Sequence, residues 1–443
     1  MSSIRRGRRR RRCAILTSSI APGPFFRSTS IWNWTTSKSC ARLPAEVAYS
    51  DDNVRIDADG DCGSAGDICA ADGRYLVAPQ PEPVPAWFAQ ALEEHFGGAG
   101  VPREYAFCVR VRSLLERPQE VALRFCFTAT NGRSYMAPPY WLRRGGRWRT
   151  VAAGDTDYMA EQYADVRCVL APGETVWVAN KPYVTPVDIE EEIDELADRF
   201  PFYHRRELGR TAEGRPILAL ETDARENAIA VGATMQPAEP GARPVLAVAH
   251  SLTDRSALSE KLLQRFQFCF IPMPNPDGAA TGRSLTNARG EVPMFSFERL
   301  LTGREAPAET GAVWRYMEAL VPAAYIEFHP HYQDVQKHKL NPMALEWYPA
   351  AMHERVKRVE EALIGLNDAW RVTHLEQSLP LGDCGKFNNL ARVFKTLAFC
   401  YQIYAITEEA TRAHAIRAVL ALAAGVAGPE WAAAQGQPEI VRG

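Results

Sequence analysis

The sequence predicts an α/β fold: a mixed sheet flanked by helices, preceded by an antiparallel β-sandwich domain. Residues 51–180 contain short alternating apolar runs separated by Gly, Pro and Asn turns, a pattern typical of antiparallel strands. From residue 181 onwards, strand-like runs alternate with segments of helical periodicity, which indicates a sheet covered by helices on both faces. With 443 residues, 46% of them hydrophobic, the chain can fill both cores.

The charge of the chain is unevenly distributed. The net charge is −2, and the seven arginines Arg5, Arg6 and Arg8–Arg12 leave −9 on the remainder. We expect residues 1–50 to be a disordered basic extension and residues 429–443 to be a loose tail. The acidic folded body is not expected to bind nucleic acid. The sequence has no run of eighteen apolar residues, so no membrane-spanning segment is expected.

The ten cysteines include no C-x-x-C pair, which argues against a structural zinc site or thioredoxin-like chemistry. Five of them lie in apolar strand-like runs: Cys108, Cys126, Cys168, Cys269 and Cys400. Free thiols in a protein core are typical of a reducing compartment, so a cytoplasmic location is expected. Cys62 and Cys69, in a loop rich in Gly and Asp, are an alternative that could form a disulfide.

The predicted sandwich is followed by a linker, Lys181–Pro186, where a helix begins. Thr185 is the expected N-cap and Pro186 the first helical residue, followed by a cluster of acidic side chains. The strands predicted after the linker are ILALET, AIAVGA, FQFCFIPM, AAYIEFHP and LAFCYQIYA. The predicted helices are 187–199, 253–265, 308–320, 350–366 and 409–424, with Gly425 as the last C-cap.

Polar residues occur at the ends of four of these strands. Gln236 and Glu239 follow AIAVGA, Asn275-Pro-Asp-Gly278 follows FQFCFIPM, and His329 and His331 follow AAYIEF. Gln402 and Tyr404 lie in LAFCYQIYA. A parallel sheet brings such strand ends to one edge, so we expect these groups to form a site, although NPDG is also a good turn sequence by itself.

The chain from residue 184 to 425 resembles the zinc metallocarboxypeptidases, most closely the cytosolic carboxypeptidase branch with its N-terminal β-sandwich. The resemblance is carried by YVTPVDIEEEIDELADRFP, RELGRTAEGRPILALET, FQFCFIPMPNPDG and AYIEFHPHYQ, in this order. It implies a carboxypeptidase-like α/β domain at residues 181–428 and a zinc cofactor.

The resemblance assigns the metal site to Gln236, Glu239 and His329. The family holds zinc with His-x-x-Glu and a later His, whereas this chain has Gln236-Pro-Ala-Glu239. An amide oxygen is a poor zinc ligand compared with imidazole. His331 is a candidate third ligand if Pro330 bends the strand, since residues two apart on a strand lie about 6–7 Å from each other. His250 is a further candidate on another segment.

The resemblance places the catalytic position on the late strand at Gln402 or Tyr404. The family uses a Glu there as general base, and Gln cannot accept a proton at neutral pH. Arg283, Arg289 and Asn287 are the candidates for binding a substrate carboxylate, together with His331. Met294 and Phe295 stand where the family has an Asn-Arg pair.

Two functions are consistent with these residues. One is a zinc metallocarboxypeptidase-like hydrolase that cleaves C-terminal peptide or amide bonds, with a peptide or protein C-terminus as its substrate. The alternative is a catalytically inactive carboxypeptidase-fold module that binds peptide tails or a protein partner. Replacement of a ligand, the base and the Asn-Arg pair favours a degenerate site, whereas retention of Glu239 and His329 leaves a remodelled metal site open.

Overall fold

The structure, a computed structural model, describes residues 47–96, 104–127, 133–160, 162–333, 337–341, 344–366, 370–371 and 380–428. The predicted basic extension, except for residues 47–50, and the predicted tail 429–443 lie outside these ranges. Glu46–Gly443 form one compact unit, and the boundary predicted between residues 180 and 181 stays a prediction.

The N-terminal half of the described chain is mainly β-structure, with two helices inserted. Its elements are β1 (Ala48–Ser50), β2 (Val54–Asp57), β3 (Asp67–Ala71), β4 (Arg74–Ala78), α1 (Ala86–Phe96), β5 (Cys108–Ser113), β6 (Gln119–Cys126), α2 (Arg133–Met136), β7 (Trp141–Arg144), β8 (Arg147–Thr150), β9 (Thr156–Met159), β10 (Tyr163–Leu170) and β11 (Thr175–Ala179).

These strands form two sheets that share one core. Within the described residues the strand orders are β1-β2-β5-β11-β7-β8 and β3-β4-β6-β10-β9. The pairs are antiparallel except for β4 and β6, which are parallel. Alternate side chains of both sheets, such as Val109 and Leu123, meet in the same buried cluster, as expected for a sandwich whose strands are half-buried. The predicted antiparallel sheets are confirmed.

The C-terminal half alternates strands and helices. Its elements are α3 (Pro186–Arg199), β12 (Tyr203–Arg210), β13 (Pro216–Thr222), β14 (Asn227–Ala233), α4 (Ala242–Ser251), α5 (Ala257–Arg265), β15 (Phe266–Ile271), α6 (Pro276–Ala280), α7 (Phe297–Leu301), α8 (Ala308–Leu320), β16 (Ala324–Pro330), β17 (Lys339–Leu340), α9 (His353–Ile364), β18 (Trp370–Arg371), α10 (Pro380–Cys384), α11 (Lys386–Phe394), β19 (Leu397–Ile403) and α12 (Glu408–Ala427).

The strands of this half form a mixed sheet in the order β12-β13-β15-β14-β16-β19-β17-β18 among the described residues. Its centre, β15-β14-β16-β19, is parallel, and every residue of β16 is buried. Parallel strands covered on both faces are expected to be buried along their whole length. The predicted mixed sheet flanked by helices is therefore confirmed.

The ends of two helices test the predicted caps. Thr185 accepts a hydrogen bond from the Asp188 N–H, and Asp188 caps in return, so the predicted start of α3 is confirmed. Gly425 is not the last C-cap: α12 continues to Ala427, and Gly428 ends it with a positive φ of 95°, a conformation that favours glycine. Gly425 is needed inside the helix because a Cβ there would lie 2.8 Å from Val359.

The two halves meet at the loop after α6. The buried Glu82 carboxylate accepts hydrogen bonds from the N–H groups of Ser284, Leu285 and Thr286, at 2.7–3.0 Å, and from the Thr286 hydroxyl at 2.6 Å. In return, the Ser284 hydroxyl oxygen accepts from the N–H of Tyr105 at 3.0 Å. Hydrogen bonds to a charged acceptor are stronger than neutral ones, so this contact fixes the loop against the N-terminal sheets.

Cysteines and hydropathy give two further findings. Cys62 and Cys69 are free thiols, as are the other cysteines that the structure describes, so the alternative disulfide is not formed.

In the described part of the chain, α12 is long and apolar enough to cross a membrane, and half of its most apolar window is buried inside the protein.

Candidate functional site

The C-terminal edge of the central strands gathers the predicted site residues. β14, β16 and β19 are parallel neighbours, so their carboxyl ends lie side by side. His329 stands opposite Gln402 in the β16–β19 register, and Glu239 lies in the loop that follows β14. The sequence expectation that these three positions meet at one edge agrees with this geometry.

The loop that carries Glu239 is held by local hydrogen bonds. Thr234 ends β14 in a left-handed conformation, φ 53°, and its hydroxyl accepts from the Gly241 N–H at 3.1 Å. The Glu239 N–H donates to the Gln236 carbonyl at 3.0 Å, closing a turn. Asn275 supports the loop with an amide N–H bond to the Met235 carbonyl, 3.2 Å. These contacts direct the Glu239 carboxylate into the interior, where it is 2% exposed.

Glu239 and His329 contact each other directly. Nδ1 of His329 is hydrogen-bonded to Oε2 of Glu239, and both side chains are buried. Burial raises the pKa of Glu239, but His329, with help from His331 and Lys181, outweighs it and lowers this pKa to about 2. Burial lowers the pKa of His329, whereas Cys400 and Glu239 beside the ring raise it well above its usual range. The pair is therefore a carboxylate–imidazolium ion pair.

A second buried ion pair lies on the other side of the His329 ring. Oε1 of Glu327 is 3.9 Å from His329 Nε2, and Oε2 of Glu327 contacts the Lys386 ammonium. The Tyr325 hydroxyl donates to Glu327 and accepts from Lys386 at 2.9 Å. Gly232 makes room for this hydroxyl, because a Cβ there would be 2.3 Å from it. Glu327 and Lys386 are completely buried.

A further lysine completes a row of alternating charges. The buried Lys181 ammonium donates to the Ala238 carbonyl at 2.7 Å, which places it beside Glu239. Burial lowers its pKa to about 8, with Glu239 acting in the opposite direction. The row formed by Lys386, Glu327, His329, Glu239 and Lys181, called the charge row below, gives each carboxylate two cationic neighbours. Such compensation is what allows charges to remain inside a protein.

His331 lies close to this row but is not part of it. Its ring stacks on Tyr404, with centroids 4.6 Å apart and an interplanar angle of 14°. Burial lowers its pKa to about 3, so the ring is neutral. Neither of its nitrogens has a hydrogen-bond partner among the described residues, and the same holds for Nε2 of His329. Three imidazole nitrogens are thus available as hydrogen-bonding groups at this edge.

Gln402 and Tyr404, the predicted catalytic residues, contact one another. The Tyr404 hydroxyl donates to Oε1 of Gln402 at 3.3 Å. Gln402 is half-buried and Tyr404 is buried. The nearby Cys400 is not a substitute nucleophile, because burial raises the pKa of its thiol despite His329. A catalytic role of Gln402 or Tyr404 stays a prediction.

The residues predicted to bind a substrate carboxylate have other contacts. Arg283 is buried and donates to the Pro81 carbonyl at 2.9 Å. The Asn287 amide donates to Glu291 at 2.9 Å and its oxygen accepts from the Arg289 N–H at 3.1 Å. The Arg289 side chain is exposed. These contacts account for Arg283 and Asn287 as supports of the loop, and their role in substrate binding stays a prediction.

The NPDG segment is the first turn of α6 rather than an isolated turn. Asn275 is its N-cap and accepts from the Gly278 N–H at 3.0 Å. The buried Asp277 accepts from the Thr211 hydroxyl and from Arg215, both at 2.8 Å. Asp277 therefore fixes the β12–β13 turn and has no contact with the charge row.

The donor set does not fit a zinc ion. Zinc sites use at least three thiolate, imidazole or carboxylate ligands, and the described residues contain no group of three His, Cys, Asp or Glu arranged to hold a metal. The two candidate ligands Glu239 and His329 are bonded to each other, and the Lys181 ammonium would repel a cation. Gln236 is half-buried and its side chain makes no hydrogen bond to the described residues.

Sequence reasoning missed Glu327, Lys386 and Lys181 as members of the site. Glu327 had a signal, because a carboxylate inside the apolar run AAYIEF has to be buried and must have a partner. The two lysines lie in a predicted linker and in a helix of the late chain, and nothing local distinguishes them from surface lysines.

Comparison with known proteins agrees with this architecture. Residues 189–300 match the Peptidase_M14 family model, described as zinc carboxypeptidase. The metallo-carboxypeptidase of Burkholderia cenocepacia is 16% identical; the alignment covers 84% of this chain and 99% of that one, with a TM-score of 0.65. A metallo-carboxypeptidase from Pseudomonas aeruginosa, solved in complex with (2-guanidinoethylmercapto)succinic acid, is 17% identical over 83% and 98% of the chains, with the same TM-score.

The protein has a metallocarboxypeptidase-like fold. The family match begins in α3 and ends in α7, which includes Gln236 and Glu239, and the fold likeness covers most of the chain. No curated protein sequence matches it. The predicted family resemblance is confirmed, and the cytosolic branch within it stays a prediction. Zinc carboxypeptidases have a histidine ligand at the position of Gln236. Whether this protein can bind zinc therefore depends on the residues around Gln236.

Proposed function

We propose that this metallocarboxypeptidase-like protein is a binding module that does not hydrolyse peptides. The observation that carries this proposal is the direct ion pair between Glu239 and His329 within the charge row. In this row the lysine ammoniums provide the positive charge that carboxylates need in a buried site. The amide of Gln402 at the late-strand position supports the same conclusion, because an amide cannot act as a general base.

The ligand class proposed for this module is a peptide tail or the terminus of a protein partner. Gln236 and Gln402 are both half-buried at the carboxyl edge of the sheet, where ligands of α/β proteins bind. Neutral amides can donate to and accept from a peptide backbone, and His331 adds two unpartnered nitrogens. A cytoplasmic location is part of the proposal and is supported by the free thiols of the described cysteines.

The decisive experiment measures metal and activity in the same sample. The full chain is purified without chelator, incubated with micromolar zinc, dialysed and analysed by mass spectrometry for metal content. We expect less than about 0.1 equivalent of zinc and no release of C-terminal residues from a peptide library. A stoichiometric zinc content that falls in Glu239→Gln or His329→Ala would refute the proposal. Lys357→Met, a change at an exposed side chain, is the matched control.

Hydrolysis of C-terminal peptide or amide bonds is the second candidate function. The specific observation in its favour is the pair of unpartnered nitrogens on the neutral imidazole ring of His331. If it is correct, peptide cleavage follows protein concentration through purification and is abolished in His331→Phe. His331→Phe keeps a ring against Tyr404, so a loss of activity would then report on the nitrogens rather than on packing.

A further inference from the structure

A basic groove lies on the N-terminal sandwich, away from the charge row. Four arginines line it, on β7, β8 and β10: Arg144, Arg147, Arg149 and Arg167. The groove encloses about 560 Å³, and Asp155 is the acidic residue in its lining. The remaining lining is apolar apart from Thr150 and Cys168 and includes no aromatic side chain.

The four arginines differ in how they are bound. Arg144 pairs with Glu174 at 3.1 Å, and Arg167 donates to the Gly154 carbonyl at 2.5 Å. Arg147 and Arg149 are exposed and make no hydrogen bond or ion pair with any residue that the structure describes. They flank the buried Trp148, so both lie on the opposite face of β8. This is the face of Leu142 and Arg144 on β7, and it is turned towards the β10 residues that line the groove. Two guanidinium groups two residues apart are thus available to a ligand.

The backbone of β8 is also available. β8 is the last strand in its sheet, and among the described strands it pairs only with β7. The Val151 N–H donates to the Tyr140 carbonyl on the β7 side, at 2.8 Å. Because N–H groups alternate in direction along an antiparallel strand, those of Trp148 and Thr150 face the open edge. An extended chain can add to such an edge by main-chain hydrogen bonds.

We propose that this groove binds an extended acidic segment of a partner protein, which pairs with β8 and places alternate carboxylates against Arg147 and Arg149. Carboxylates pair with guanidinium in a bidentate geometry, and the period of two along a strand matches the spacing of the two arginines. Single-stranded nucleic acid fits less well, because the lining offers no aromatic ring for base stacking. The proposal is independent of the function of the charge row.

The test measures fluorescence polarisation of a labelled decapeptide that alternates glutamate and threonine, titrated with the full chain. We expect binding that weakens at least about tenfold in Arg147→Glu/Arg149→Glu, since the change reverses both contacts. The matched control is Arg112→Glu/Arg117→Glu, an equal charge change at two exposed arginines of the same region. This control should bind the peptide as tightly as the unmodified chain does. Both variants keep the basic extension, so binding of the peptide to that extension would be the same in the two.

Three further probes decide between the possible ligands. The same peptide with glutamine in place of glutamate should not bind. Two further peptides carry N-methyl groups on the odd-numbered or on the even-numbered residues. Only one of these two sets of N–H groups can pair with β8, so only one of the two N-methylated peptides should lose binding. Equal affinity of Arg147→Glu/Arg149→Glu and the unmodified chain would overturn the proposal. So would unchanged binding of both N-methylated peptides, tighter binding of an oligothymidylate of equal charge, or no measurable binding of the acidic peptide.

Discussion

The substitution Lys386→Met tests whether the charge row is the polar core that replaces a metal. Glu327 and Lys386 are both completely buried and in contact, and methionine nearly matches the lysine side chain in volume. The change leaves the Glu327 carboxylate with the Tyr325 hydroxyl and with the His329 ring 3.9 Å away, but without its contacting ammonium. Removal of one partner from a buried pair costs about 3–5 kcal/mol. For a chain of 443 residues, this lowers the melting temperature by about 3–5 °C.

Scanning calorimetry and urea unfolding of the single and double variants measure this effect. Lys386→Met/Glu327→Gln removes both charges, so we expect it to recover at least half of the lost free energy of unfolding. Lys357→Met breaks the exposed Lys357–Glu354 pair, whose side chains are 51% and 82% exposed, and should change stability by less than about 1 kcal/mol. The reasoning fails if Lys386→Met is as mild as this control, or if the double variant is no more stable than the single one.

Three further predictions concern acid stability, the metal site and the contact between the two halves. Burial, and then His338 and Arg417, lower the pKa of His414 to about 3. In the unfolded chain this imidazole binds its proton at a higher pH than in the folded protein. The free energy of unfolding should therefore fall as pH drops from about 6.5 to 3, by up to about 4 kcal/mol. Urea unfolding across this range should show a shallower fall in His414→Gln, and equal slopes would contradict the assignment. Gln236→His with Gln402→Glu should raise zinc content measured by mass spectrometry, and an unchanged content would show that these positions are not aligned with the family's site. Glu82→Gln should cost about 2–3 kcal/mol in urea unfolding, because the amide NH₂ would replace one carboxylate oxygen and face either the Ser284 N–H or those of Leu285 and Thr286. Glu94→Gln, at an exposed helix position, is the control, and an equal effect of the two would refute the role of Glu82.

Much of the fold could be predicted from the sequence because its signals are local. The strands β13 to β16 and β19 coincide with apolar runs of strand length, and α3 begins at the Thr185-Pro186 signature. Both signals depend on residues within a few positions of each other, so no tertiary information is needed. Gly425 is the exception. A glycine near the end of a helix is predicted to be its C-cap, and only the packing of α9 against α12 shows that this glycine is needed inside the helix.

The candidate site was predictable in its position but not in its chemistry. Glu239 and His329 follow predicted parallel strands, and the edge at which such strands end could be deduced. That the two bind each other rather than a shared ligand depends on side-chain packing between segments 90 residues apart. Arg283 shows the same limit, because its contact with Pro81 belongs to the other half of the chain.

The sequence alone determined the order of strands and helices, the family resemblance and the missing imidazole and carboxylate at Gln236 and Gln402. Only the tertiary structure showed that Lys181 and Lys386 lie beside the buried carboxylates. The physical reason is that the free energy of a buried charge depends on the groups around it in space. From the pattern of apolar residues alone, a lysine is predicted to lie on the surface. The partners that allow Lys386 to be buried come from a strand some 60 residues earlier.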